Sequence, residues 1–218
     1  MSKQFVSAVI ETLAPLADPR QAQGMAAYMK HQFPYLGIAT PARRTACAQL
    51  VRGFDGDPIP AAKALWKLEE REYQYVAVDL LRRHVRRLAA GDLPALEKLV
   101  QTKSWWDCVD ALVPTMGEIV YRERALVARM DELIGAEDFW LRRVALLHQL
   151  DWKDETDEKR LFHYCLERAH EKEFFIRKAI GWALRQYART APDAVRRFTA
   201  AHGTKLSGLS LREATKHL

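Results

Sequence analysis

The chain has 218 residues, with 34 Lys plus Arg against 28 Asp plus Glu, a net charge of +6 and a pI near 9.3. That balance favours a polyanionic partner over an acidic one. No apolar run approaches the ~20 residues of a membrane span, and Met1-Ser2-Lys3-Gln4-Phe5 opens an ordinary amphipathic segment, so a cytoplasmic protein of the cytosol or nucleoid without a membrane partner is expected.

Period-3.6 apolar spacing recurs from end to end, while sustained alternation and β-branched clusters are missing, so the fold class is all-α with about a dozen helices. Punctuation falls at Asp18-Pro19, Thr40-Pro41, Asp57-Pro58, Asp92-Leu93-Pro94, Gly135 and Ala191-Pro192. Thr40-Pro41 reads as an N-cap followed by proline at the first helical position.

In Lys103-Ser104-Trp105-Trp106-Asp107-Cys108-Val109-Asp110, Ser104 and Asp107 have capping-box spacing, so a helix is expected to begin near Trp105. Trp105, Cys108, Val109 and Leu112 then make a core stripe. Trp106 and Asp110, four apart, share another face. The pair is either an interface tryptophan beside a solvated acid or a site.

Further on, Ile176, Ala179, Ile180, Ala183 and Tyr187 form a core stripe, while Lys178, Trp182, Arg185 and Arg189 lie on a different one. A large ring in a row of cations suits a nucleic-acid backbone with a base or sugar beside it. Packing of Trp182 on a neighbouring helix, covered by Arg and Lys stems, is the structural alternative. Ser210-Leu211-Arg212-Glu213 reads as the capping box of a short last helix.

Three helix starts resemble one another: Glu72-Tyr73-Gln74-Tyr75, Asp138-Phe139-Trp140-Leu141 and Glu173-Phe174-Phe175-Ile176. Tyr73 and Phe139 are 66 residues apart and Phe139 and Phe174 are 35, with Trp105 in the missing slot. A helical period in the low thirties implies an α-solenoid of antiparallel, HEAT-like helix pairs, one domain over residues 1–218. If Trp106, Asp110, Arg143 and Trp182 share its concave side, they converge on one groove.

Other chemistry finds little footing. Cys47, Cys108 and Cys165 fit no CxxC pattern and suit core thiols of a reduced protein. His163 and His170 make neither an HExxH pair nor a finger, so no metal is expected. No phosphate-cradling glycine loop or GxSxG elbow appears, and no cofactor is implied.

Taken together, Met25-Ala26-Ala27-Tyr28-Met29-Lys30, Leu36-Gly37-Ile38-Ala39-Thr40-Pro41, the Thr102–Asp110 stretch, Phe139–Arg143, Phe174–Trp182 and Leu209–His217 resemble the AlkD-like DNA alkylation repair glycosylases, nearly end to end. That resemblance implies a basic concave DNA-binding face and hydrolysis of the N-glycosidic bond of N3- and N7-alkylated purines such as 3-methyladenine and 7-methylguanine. It implies Asp110 as the catalytic carboxylate, Trp106 and Trp182 as lesion-site tryptophans, and Arg143 as a DNA contact. It also implies N-terminal DNA contacts at Tyr28, Thr40 and Pro41. Lys103, Lys178, Arg185 and Arg189 complete the expected DNA-binding set, whereas Arg142 and Arg177 equally fit ion pairs between repeats. The expected partner is double-stranded DNA carrying alkylated purines, bound by a monomer without an obligate protein partner. A non-catalytic DNA-binding solenoid is the alternative function.

Overall fold

The computed structural model describes residues 2–218, which contain thirteen α-helices, short 3-10 turns and no strand among the described residues. Two compact units are distinguishable, Met1–Leu99 and Val100–Leu218.

The first unit holds α1 (Ser2–Leu13), α2 (Pro19–Tyr28), α3 (Thr40–Arg52), α4 (Pro58–Trp66) and α5 (Arg71–Arg83), with α6 (Leu93–Val100) at its boundary. Proline at the first or second helical position starts α2, α3 and α4, where the missing N–H costs nothing. Asp18 and Asp57 cap α2 and α4 through their carboxylates. For α3 the cap is Ala39, so Thr40 and Pro41 lie inside the helix, one residue later than expected.

Helix α5 carries the unit's core. Glu72, which opens one of the three similar helix starts, is the second residue of this helix and fully buried. Its carboxylate accepts the backbone N–H groups of Leu36, Gly37 and Ile38 at 2.9–3.0 Å. Three donors to one buried carboxyl group offset its desolvation and fix the loop entering α3. Gly37 is required there: its φ is +88°, and a Cβ would lie 2.0 Å from the Asp18 carbonyl oxygen.

The second unit holds α7 (Trp106–Arg122), α8 (Val127–Leu133), α9 (Phe139–Leu147), α10 (Glu158–Glu167), α11 (Phe174–Tyr187), α12 (Pro192–His202) and α13 (Gly208–Ala214). Helices α7, α9, α11 and α13 lie side by side, with α8 against α9, α10 against α9 and α11, and α12 against α11. This is the stacked-pair arrangement of an α-solenoid. Helices α3, α5, α7, α9, α11 and α13 begin 31 to 35 residues apart, so the repeat seen in the sequence extends to the last helix.

Two expected caps are displaced. The Ser104 hydroxyl donates to the Val100 carbonyl at 2.7 Å, tying the chain to the end of α6, and Trp105 is the N-cap of α7. Ser207, not Ser210, caps α13. Ser210 lies inside that helix and donates its hydroxyl to the Arg177 carbonyl at 2.9 Å. In both cases a serine that could have capped its own helix bonds a neighbouring one.

Candidate active site

The first turns of α7, α9 and α11 pack together through rings. Trp105 lies 5.3 Å from Phe175 and 6.2 Å from Trp140, and Trp140 lies 4.8 Å from Phe175 (centroid distances). Asp138 and Glu173 cap α9 and α11 by accepting the Trp140 and Phe175 N–H groups, which fixes the register of both helices against this cluster. Trp105 thus belongs to the packing, and with it the buried stripe of Cys108, Val109 and Leu112 turns Trp106 and Asp110 to another, partly exposed face.

Asp110 meets Arg143 there. The Nε of Arg143 donates to one carboxylate oxygen at 2.7 Å and Nη2 to the other at 2.8 Å, a side-on bidentate pair. The third nitrogen, Nη1, donates to the Phe175 carbonyl. Each guanidinium nitrogen therefore has a protein acceptor, and the side chain is only 5% exposed against 18% for Asp110. The guanidinium carbon lies 5.9 Å from the centroids of both Trp182 and Phe175, at the outer reach of a cation–π contact. One arginine of α9 thus links a carboxylate on α7, a backbone carbonyl on α11 and the face of Trp182. Asp110 keeps lone pairs beyond the two that Arg143 occupies, and these are available to a water or a cation.

Trp182 is flanked by its own ion pairs. Lys178 Nζ lies 2.9 Å from one oxygen of Glu213 in α13, and Arg185 Nη1 contacts the other. These two cations hold the Glu213 carboxyl down at about 2.

The other expected DNA contacts are placed as follows. Tyr28, the last residue of α2, is 71% exposed, and Thr40 and Pro41 are exposed at the first turn of α3. Lys103 is partly exposed in the tight turn before α7, with φ +52°. Arg189 is exposed just beyond α11 and lines a cavity of about 300 Å³ with Leu146, Gln149, Lys153 and Tyr187. Arg142 makes the ion pair between repeats anticipated for it, with Glu171 at 2.9 Å, while Arg177 donates to the Glu171 carbonyl. Among the described residues no group of three His, Cys, Asp or Glu is placed to hold a metal ion.

Sequence reasoning overlooked the Asp110–Arg143 pair and the role of Glu213. A signal for the first was present: the two residues are 33 apart, one repeat period, which places them at equivalent positions of adjacent helices.

A family model described as DNA alkylation repair enzyme matches residues 9–218. A solved structure described as a predicted DNA alkylation repair enzyme from Enterococcus faecalis is similar to this chain, with 38% identity and a TM-score of 0.86 over 93% of this chain and 96% of that one. Nothing among curated proteins matches the chain.

Proposed function

The chain belongs to the DNA alkylation repair enzyme family, and from that premise we propose that it is a monofunctional DNA glycosylase releasing N3- and N7-alkylated purines from duplex DNA. The observation that carries the reading is the carboxylate of Asp110 pinned by Arg143, whose guanidinium lies 5.9 Å from the Trp182 ring. An alkylated purine of this kind is already cationic, so its glycosidic bond breaks without a strong general acid. What the protein must supply is stabilisation of the oxocarbenium developing on the deoxyribose, and a water to capture it. An ionised carboxylate serves both needs, provided it does not swing. Arg143 supplies that restraint, since a fork-shaped bidentate donor fixes both the position and the plane of the acceptor. Trp106, one helical turn before Asp110, and Trp182 offer indole faces to the same cation, at about 0.5–2 kcal/mol per contact. Arg143, expected from the sequence to contact DNA, has all three guanidinium nitrogens bonded within the protein and is in this scheme a positioning residue. Tyr28, Thr40, Pro41, Lys103 and Arg189 are the contacts to the DNA backbone, while Lys178 and Arg185, also expected there, are paired with Glu213.

The test is to incubate the protein with methylated duplex DNA and identify free bases by chromatography. Release of 3-methyladenine and 7-methylguanine is expected. Salt-dependent DNA binding without any base release would make the protein a non-catalytic binder and refute the proposal.

A further inference from the structure

Glu213 pairs with two cations of the basic row of α11, and the packing of α13 puts it there. Gly181 lies between Lys178 and Arg185 on the same face of the helix, at i+3 and i−4 from them. A Cβ on Gly181 would lie 2.4 Å from the Cβ of Glu213 and 2.8 Å from the Ser210 carbonyl oxygen. The missing side chain is a notch into which α13 settles, and Ser210 holds it there through its bond to the Arg177 carbonyl. From that notch Glu213 reaches back to Lys178 and forward to Arg185, one oxygen to each. Trp182, next to Gly181 on the helix, is flanked by the two cations Glu213 holds.

Resting on the reading that duplex DNA is the partner, we propose that Glu213 is a specificity-determining residue, an internal stand-in for a DNA phosphate that keeps Lys178 and Arg185 from indiscriminate backbone binding beside Trp182. Two cations at 37% and 22% side-chain exposure, already paired with Glu213, offer a phosphate their full charge only if it displaces this carboxylate. Affinity for intact duplex is thereby held down, and lesion-dependent contacts to the tryptophan count for more of the total.

The experiment measures binding to undamaged duplex across a salt series for the parent and Glu213→Gln. The substitution preserves shape and the notch and removes the counter-charge from both cations, while one acceptor oxygen and the bond from Arg185 to the Glu213 main-chain carbonyl remain. Intact-duplex affinity is expected to rise about five-fold, and the slope of log K against log salt to steepen by about one to two, as each new phosphate contact contributes about 0.9. Damaged-over-undamaged preference is expected to fall. Lys178→Gln, assayed in both backgrounds, separates a freed cation from a loosened helix: it should cost under about two-fold in the parent and about five-fold after Glu213→Gln. Unchanged or weakened intact-duplex binding by Glu213→Gln, or an equal cost of Lys178→Gln in both backgrounds, would overturn the inference and leave Glu213 as a structural clamp. A parent protein with no salt-dependent duplex affinity would instead overturn the reading beneath it.

Discussion

Replacing Asp110 by Asn probes the chemistry and the structure at once, and the two effects are separable. Asn keeps the size and one acceptor oxygen, but its amide NH₂ would face a donor of Arg143 where a carboxylate oxygen now accepts at 2.7 or 2.8 Å. One charge-assisted hydrogen bond is lost, worth about 1.5–3 kcal/mol. A guanidinium only 5% exposed is also left without its counter-charge. Breaking a fully buried pair costs about 3–5 kcal/mol, and with Asp110 itself partly exposed the cost falls to the low end of that range or just below it, about 2–3 kcal/mol. At about 2–4 °C per kcal/mol for a chain of this size, Tm should fall by about 4–12 °C. Catalysis loses the charge facing the oxocarbenium, so release of 7-methylguanine should slow by a factor of ~100 or more, about 2.7 kcal/mol of barrier. The assay is single-turnover release from methylated duplex at saturating enzyme, well below the variant's Tm, with folding checked by circular dichroism. Affinity for duplex should hold or rise slightly, since an anion has left a surface that meets phosphates. Excision near the parental rate by a folded Asp110→Asn protein would refute the mechanism.

Arg143→Lys keeps the charge and removes the fork, so excision should fall about ten-fold in the same assay while affinity for intact duplex stays within about two-fold. A large loss of intact-duplex affinity would mean that Arg143 contacts phosphate directly. Trp182→Ala and Trp106→Ala should lower single-turnover release of cationic lesions more than they lower binding of intact duplex, measured by anisotropy. His148 is buried at the C-cap of α9, and that burial pushes its pKa from 6.5 down to about 4. Its folded value lies below its unfolded one, so the unfolded chain takes up the proton first. Stability is full above pH 6.5 and should fall by roughly 3 kcal/mol as pH drops toward 4. Urea midpoints at pH 7.5 and 5 should show this slope, and a variant with Gln at 148 should flatten it.

Periodicity and punctuation determined the larger features by themselves. An apolar stripe every 3.6 residues can be buried only by a helix, and a recurrence in the low thirties can be buried only by stacking one helix pair on the next. Those two facts suffice for helices beginning near Trp105, Phe139 and Phe174, and set Trp106, Asp110 and Trp182 off the core faces. What the tertiary structure decided was the destination of each polar group. Ser104 and Ser210 satisfy local capping patterns equally well on paper, yet each gives its hydroxyl to a carbonyl of another helix. Glu72 has the same sequence context as Asp138 and Glu173, yet it goes inside, where three loop N–H groups await it, while the other two cap. Arg143 looks like a surface cation until α7 and α11 close around it, and Glu213 becomes visible only when Gly181 lets α13 approach. Burial of apolar area is proportional to area and indifferent to partner, so a one-dimensional pattern suffices to forecast it. A hydrogen bond or ion pair depends on distance, angle and the competing donors nearby, and those are fixed only once neighbouring repeats dock.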